Sequence, residues 1–280
     1  MTPLRQQMIE DMQLNGLSAS TQKLYISSIK QLSEYFGRSP AELSEQDLRE
    51  YFLYLTNEKR VSRSTTTITL CGVKFLYQKT LHRQWTTLGL VRPAYARRLP
   101  VVLSRDEVGR ILNAVEHASY RACLKTIYSC GLRVSEAIQI KVSDIDSARM
   151  MLLVHGKGNK QRYVPLPQVT LDLLRAHWRT HRDRSWLFPA PGSRNGFLYQ
   201  GTLGQALRRA CKAAGIGKAA HIHTLRHSYA THLLAAGVNL RIIQENLGHR
   251  SARSTQIYTH LTPEVRAALT DPLNQLMQGL

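Results

Sequence analysis

A chain of 280 residues, 43% of them hydrophobic, can bury one large core or two modest ones, which excludes a disordered chain. Its formal net charge is +19, from 38 Lys and Arg against 19 Asp and Glu. A surplus of that size repels itself unless an anionic partner is near, and nucleic acid is the usual one. The charge is spread over many segments, which argues against a basic membrane-binding helix.

The start, MTPLRQQMIEDMQ, carries acids and no apolar run, so it does not read as a signal peptide. No run of about 18 apolar residues follows anywhere, so no membrane span is expected. Residues 3–15 read as a helix. In STQKLYISSIKQLSEYFG the apolar Tyr25, Ile29, Leu32 and Phe36 recur at helical spacing, and Gly37 supplies a stop. LSEQDLREYFLYL follows, with Ser44 and Asp47 at capping-box spacing and Leu48, Phe52 and Leu55 on one face. SRSTTTITLCGVKFLYQKTL is a third long segment in which Ile68, Cys71 and Phe75 keep the period despite a threonine run and Gly72. Together these predict a bundle of about four helices over residues 1–90. LVRPAYARRLP, with two prolines and arginine as its only charged residue, predicts a stiff basic linker over 91–101.

A second domain starts at LSRDEVGRIL, where Ser104 and Glu107 form another capping box. Helix continues through Ser129, and Gly131 is placed to cap it. The one clear β region is MMLLVHGKGNKQRYVPLP, where two apolar runs flank a basic tip, predicting a hairpin. Helices return at 168–182, 201–214, 223–236 and 239–247. The four cysteines, Cys71, Cys123, Cys130 and Cys211, form no CxxC pair and sit in apolar helical contexts. They read as buried, reduced thiols, which suits a reducing cytoplasm.

Charge distribution sharpens the partner. From Lys59 to Arg105 there are ten Lys or Arg and no acid, and from Arg184 to Arg241 eight and again none. An ordinary solvated surface mixes both signs. Inside the second window, HIHTLRHSYATHLL packs four histidines and one arginine into fourteen residues. His223 and His227 at i,i+4 could share a metal ion, but no acid lies between Asp183 and Glu245 to complete a cage, and the Glu of HExxH is missing. Core packing or a helix surface accounts for His227 and His232. His223 and Arg226 at i,i+3 share a helix face, and an arginine fork beside a titratable imidazole suits a phosphate. Arg133, in CGLRVSEA, could complete a clamp, or could simply pair with Glu136. Tyr258, taken alone, is more often a packed aromatic than a nucleophile.

The order Arg133, Lys157, His223-x-x-Arg226, His249, Tyr258 is carried by GLRVSEA, GKGNKQR, HTLRHSYATHLL and LGHRSARSTQIYTH. It resembles the tyrosine recombinase (phage integrase) family over about residues 102–262. The resemblance implies a mainly α protein. A helical core-binding domain (1–90) precedes a mostly helical catalytic domain (102–262) with a small antiparallel sheet, the two forming a C-shaped clamp on DNA. It implies Tyr258 as nucleophile and Arg133 and Arg226 as phosphate ligands. It gives His249 a hydrogen bond to the same phosphate, makes His223 the proton acceptor and Lys157 the acid, with Lys160 as the other candidate for that acid. Glu136 is structural in this scheme, holding the turn around Arg133. No metal or cofactor is implied. The implied partner is double-stranded DNA at specific core sites, bound as a homotetramer from a protomer that is monomeric or weakly oligomeric when free. The tail, 263–280, would dock into a neighbouring protomer. The setting would be a bacterial cytoplasm, at the nucleoid. A type IB topoisomerase would use the same chemistry without synapsing two sites. A non-catalytic DNA-binding protein would lose the clamp, whereas here all six positions are filled.

Overall fold

The computed structural model describes residues 2–85, 87–91, 100–156, 160–190, 192 and 196–248. The chain divides into two compact units, Met1–Arg98 and Leu99–Leu280. Most of the expected linker, the whole tail 263–280, and Lys157, His249 and Tyr258 lie outside the described residues.

The first unit is helical: α1 (Pro3–Leu14), α2 (Ala19–Phe36), α3 (Glu45–Leu53), α4 (Arg63–Phe75) and a short α5 (Thr87–Leu90). Local chemistry sets the ends. Pro3 opens α1, where it forfeits no helical hydrogen bond. The Ser18 hydroxyl caps α2, and Gly37 closes it at φ 66°. At α3 the expected capping box is present: Asp47 N–H donates to Ser44 Oγ at 3.2 Å, and Ser44 N–H donates to the Asp47 carboxylate at 2.7 Å. The core holds Leu32, Leu48, Phe52, Leu55, Val73 and Tyr77. The buried Tyr77 hydroxyl donates to the Pro40 carbonyl at 2.6 Å.

Helix α4 corrects the sequence reading. Its buried residues are Thr66, Thr69, Leu70, Gly72 and Val73, while Ile68 and Phe75 are half-buried and Cys71 is exposed. The cause is Gly72. A Cβ there would lie 3.2 Å from the Tyr25 Cα, so α2 and α4 touch backbone to backbone at that point. The glycine selects the inward face, and the threonines beside it follow. Thr66 can be buried because its hydroxyl donates to the Ser62 carbonyl within its own helix. Cys71 is therefore no buried thiol, unlike Cys123, Cys130 and Cys211.

The second unit runs α6 (Arg105–Asn113), α7 (Ala118–Cys130), α8 (Val134–Ala137), β1 (Ile145–Asp146), β2 (Met151–Gly156), β3 (Lys160–Pro165), α9 (Gln168–His181), α10 (Gln200–Ala213), α11 (Ile222–Ala235) and α12 (Leu240–Leu247). The hairpin is as expected, with β1 added as a third antiparallel strand too short to register in the sequence. The register pairs Leu152 with Val164, Val154 with Arg162 and Gly156 with Lys160. Paired residues share a face, so Arg162 stands on the side of the sheet that buries Leu152, Val154 and Val164. The Ser104–Glu107 capping box opens α6. Leu103, next to it, is tied to α11 twice: its N–H donates to Ser228 Oγ at 3.0 Å, and His232 Nε2 lies 2.9 Å from its carbonyl. Tyr128 Oη lies 2.7 Å from the other ring nitrogen of His232, which gives this histidine a structural place. No helix among the described residues is long and apolar enough to cross a membrane.

Gly131 ends α7 at φ 62°, and a Cβ there would overlap the Tyr229 ring. Gly131→Ala should therefore combine a left-handed backbone penalty with overpacking, about 3 kcal/mol in all. Urea denaturation reads this directly, and an unchanged midpoint would contradict it.

Candidate active site

The short loop after α7 builds the site. Gly131 reverses the chain, and Arg133 then starts α8. Arg133 N–H donates to Glu136 Oε2 at 2.8 Å, while Glu136 N–H returns to the Arg133 carbonyl at 3.1 Å. This reciprocal pairing fixes Glu136, which is 5% exposed, beneath the turn.

Three guanidiniums converge on that carboxylate. Arg133 Nη1 reaches Oε1 at 2.6 Å. Arg162, from β3, lays both terminal nitrogens on the two oxygens at 3.0 and 2.9 Å. Arg226, from α11, has Nη1 3.8 Å from Oε2. Burial pushes the Glu136 carboxyl upward, but the hydrogen bonds from Arg162 first and then Arg133 outweigh it, leaving the pKa at about 2. The carboxylate is ionised at any working pH, and three guanidiniums against one carboxylate leave two positive charges in surplus.

Backbone carbonyls carry part of that surplus. Arg226, 3% exposed, donates to the Gly131 carbonyl at 2.6 Å and to the Leu247 carbonyl at 2.5 Å. Arg162 Nε donates to the Asn246 carbonyl at 2.8 Å. These acceptors sit at the C-terminal ends of α7 and α12, where unpaired carbonyls hold partial negative charge. Gly248 closes α12 at φ 63°, and a Cβ there would press within 3.1–3.3 Å of the Arg162 side chain. The Arg133 side chain stays 36% exposed and is open to an anion from outside.

Arg133 thus pairs with Glu136 and still faces solvent, so its pairing does not exclude its other reading. The structure brings Arg133 and Arg226 to one carboxylate and sets His223 one turn before Arg226 on α11, exposed. Partial burial of its ring, then Arg226 and Arg133, push the His223 pKa below the ordinary value, against a smaller upward pull from Glu136. The imidazole is therefore neutral near pH 7 and able to take a proton. Half-buried His227 is lowered too, by burial, His223 and Arg226. Lys160, exposed, is the first residue of β3, paired with Gly156. Arg162 was missed. It lies inside GKGNKQR, but nothing in the spacing says that its side chain crosses to α8.

These histidines predict a pH dependence. His177, His223, His227 and His232 all have folded-state pKa values below 6.5, that of His177 at about 4 through burial, then His181 and His117. The unfolded chain then takes up protons first as pH falls. Stability should drop below about pH 6.5 and keep dropping to about pH 4, where His177 charges in the folded protein as well. Glu136 adds its own loss from about 4.5 down toward 2. Melting temperature should fall by about 5 °C or more between pH 7 and 4.5. A flat profile across that range would contradict the assignment.

Residues 101–264 match the family model described as phage integrase family, and residues 4–87 match the phage integrase N-terminal SAM-like domain. An integrase/recombinase of Sinorhizobium fredii, y4qK, is 40% identical over 99% of this chain and 90% of its own length. Tyrosine recombinase XerD of Rhizobium meliloti is 33% identical over 89% of this chain and 87% of its own. Among solved structures, XerA recombinase is 30% identical, covers 96% of this chain and 97% of its own, and superposes with a TM-score of 0.56. XerH recombinase, solved on its difH substrate before cleavage, shares the fold at a TM-score of 0.68 with 24% identity, covering 89% of this chain and 78% of its own.

Proposed function

The chain belongs to the phage integrase family, and we propose on that footing a tyrosine-catalysed mechanism built on the Glu136 cluster. The protein is a site-specific DNA recombinase that cleaves and rejoins DNA through a covalent tyrosine link.

Tyr258 attacks a phosphodiester. The bond from phosphorus to the 5′-oxygen breaks, leaving a 3′-phosphotyrosyl link and a free 5′-hydroxyl. His223 takes the phenolic proton, and its lowered pKa keeps it ready to do so. Lys157 protonates the departing 5′-oxygen, with Lys160 as the alternative. Arg133 and Arg226 meet the non-bridging oxygens, where charge builds in the transition state, and His249 adds a hydrogen bond. The observation that carries this reading is the convergence of Arg133 and Arg226, from separate elements, on Glu136. Both guanidiniums are held by protein acceptors before DNA arrives, which limits the reorganisation that the reaction demands.

The partner is duplex DNA at specific core sites in a bacterial cytoplasm. A homotetramer assembles on two sites from protomers that are monomeric or weakly associated when free. The sequence Thr262-Pro263-Glu264 reads as a helix start, and Leu273, Leu276, Met277 and Leu280 are spaced as an apolar stripe suited to a neighbouring protomer. Deleting 263–280 should spare binding to one site and abolish recombination between two. Normal synapsis by the truncated protein in a gel assay would rule the exchanged tail out.

The decisive experiment traps the covalent complex on a nicked suicide duplex, with and without EDTA, and sequences the DNA-linked peptide. Tyr258 should carry the DNA, and trapping should survive EDTA. A link on another residue would overturn the mechanism. Trapping lost in EDTA and restored by zinc or magnesium would revive the metal reading of the histidines.

A further inference from the structure

Arg162 has no part in the steps above, yet its side chain is bonded at all three nitrogens. Two lie on Glu136, and Nε donates to the Asn246 carbonyl. Its side chain is 15% exposed against 36% for Arg133, and each of its three nitrogens already donates to an acceptor within the protein. It stands on the core-facing side of β3, paired across the sheet with Val154. One guanidinium thus joins three segments: the sheet, the α8 turn and the end of α12.

We propose that Arg162 is a positioning residue for strand cleavage, one that fixes the plane of the Glu136 carboxylate and so aims Arg133 at the scissile phosphate. The inference rests on the mechanism proposed above. Arg133 alone meets Oε2 through its backbone N–H and Oε1 through Nη1, so the second oxygen is held only by the side chain that has to be aimed. Arg162 places one N–H on each oxygen, and a fork of that kind sets an orientation as well as a distance. With the plane set, the 2.6 Å contact holds Arg133 Nη1, Nη2 rests 3.4 Å from the Gly248 carbonyl, and the side chain still keeps 36% of its surface exposed. A lysine would keep the charge but act as a point, unable to set the plane. Misplacing a transition-state charge by about 1 Å costs roughly a hundredfold in rate. The Nε bond to Asn246 and the Gly248 backbone packed on the guanidinium keep the fork itself from swinging.

The test uses the full chain with Arg162→Gln and Arg162→Lys, the lysine guarding against a glutamine variant that fails to fold. Single-site DNA affinity, thermal melting and single-turnover cleavage of a suicide substrate are read at saturating enzyme, below each melting transition. Affinity should stay within about threefold of wild type, while cleavage by the folded, bound enzyme falls roughly 50-fold or more in both variants. Combining Arg162→Lys with Arg133→Lys should add no more than about threefold to the loss from Arg133→Lys alone, because the effect passes through Arg133. A merely structural role would lower the melting temperature without this rate loss. Wild-type cleavage by the folded variants, or losses that multiply in the double variant, would overturn the proposal. Wild-type protein that forms no covalent complex would instead overturn the mechanism on which it rests.

Discussion

Tyr258→Phe should bind a single DNA site within about twofold of wild type and form no covalent complex. The substitution removes one oxygen and leaves the rest of the side chain unchanged. Binding draws on the basic windows, Lys59 to Arg105 and Arg184 to Arg241, which the change does not touch. In the proposed mechanism the chemistry depends on that oxygen alone: no water need be activated, and the phosphotyrosyl ester stores the bond energy that religation spends. Cleavage should therefore fall by roughly 10⁴-fold or more, the scale seen when a nucleophile is removed from an intact site. A denaturing gel separates the outcomes. A protein–DNA adduct that survives denaturation in the phenylalanine variant would place the nucleophile elsewhere.

The helices of both units were legible because their punctuation is local. Ser44 with Asp47 and Ser104 with Glu107 act within four residues, and Gly37 and Gly131 take the left-handed conformations that their positions implied. The face of α4 was not legible, because it depends on Gly72 meeting Tyr25 across two helices. A periodicity argument weighs apolar side chains and cannot see that the absence of one draws a neighbour in. The candidate site divides the same way. His223 and Arg226 could be read as a pair because one helix fixes their spacing. Arg133 and Glu136 could be read as a pair because one turn does. The third guanidinium could not, since Arg162 reaches Glu136 from 26 positions away, through a strand register that only the folded sheet supplies.

The same sheet frames the choice of general acid. Gly156 pairs with Lys160 at the last described rung of the hairpin, so Lys160 belongs to the strand, while Lys157 lies outside the described residues. Alternation puts Lys160 on the same face as Arg162, hence on the side of Glu136, which makes it a real competitor. Lys157→Ala should nonetheless be the damaging change, slowing cleavage of ordinary DNA about 10³-fold with binding little altered. A 5′-alkoxide is a poor leaving group and needs its proton as the bond breaks. A 5′-thiolate leaves without one, so a 5′-bridging phosphorothiolate makes the acid dispensable. Lys157→Ala should then cleave the sulfur substrate at close to the wild-type rate. Lys160→Ala should show neither the large defect nor the selective rescue, because removing an exposed strand cation changes no protonation step. Sulfur separates the two roles where a simple activity loss could not: a lysine that only holds DNA loses rate equally on both substrates. Rescue of Lys160→Ala and not of Lys157→Ala would move the acid from Lys157 to Lys160.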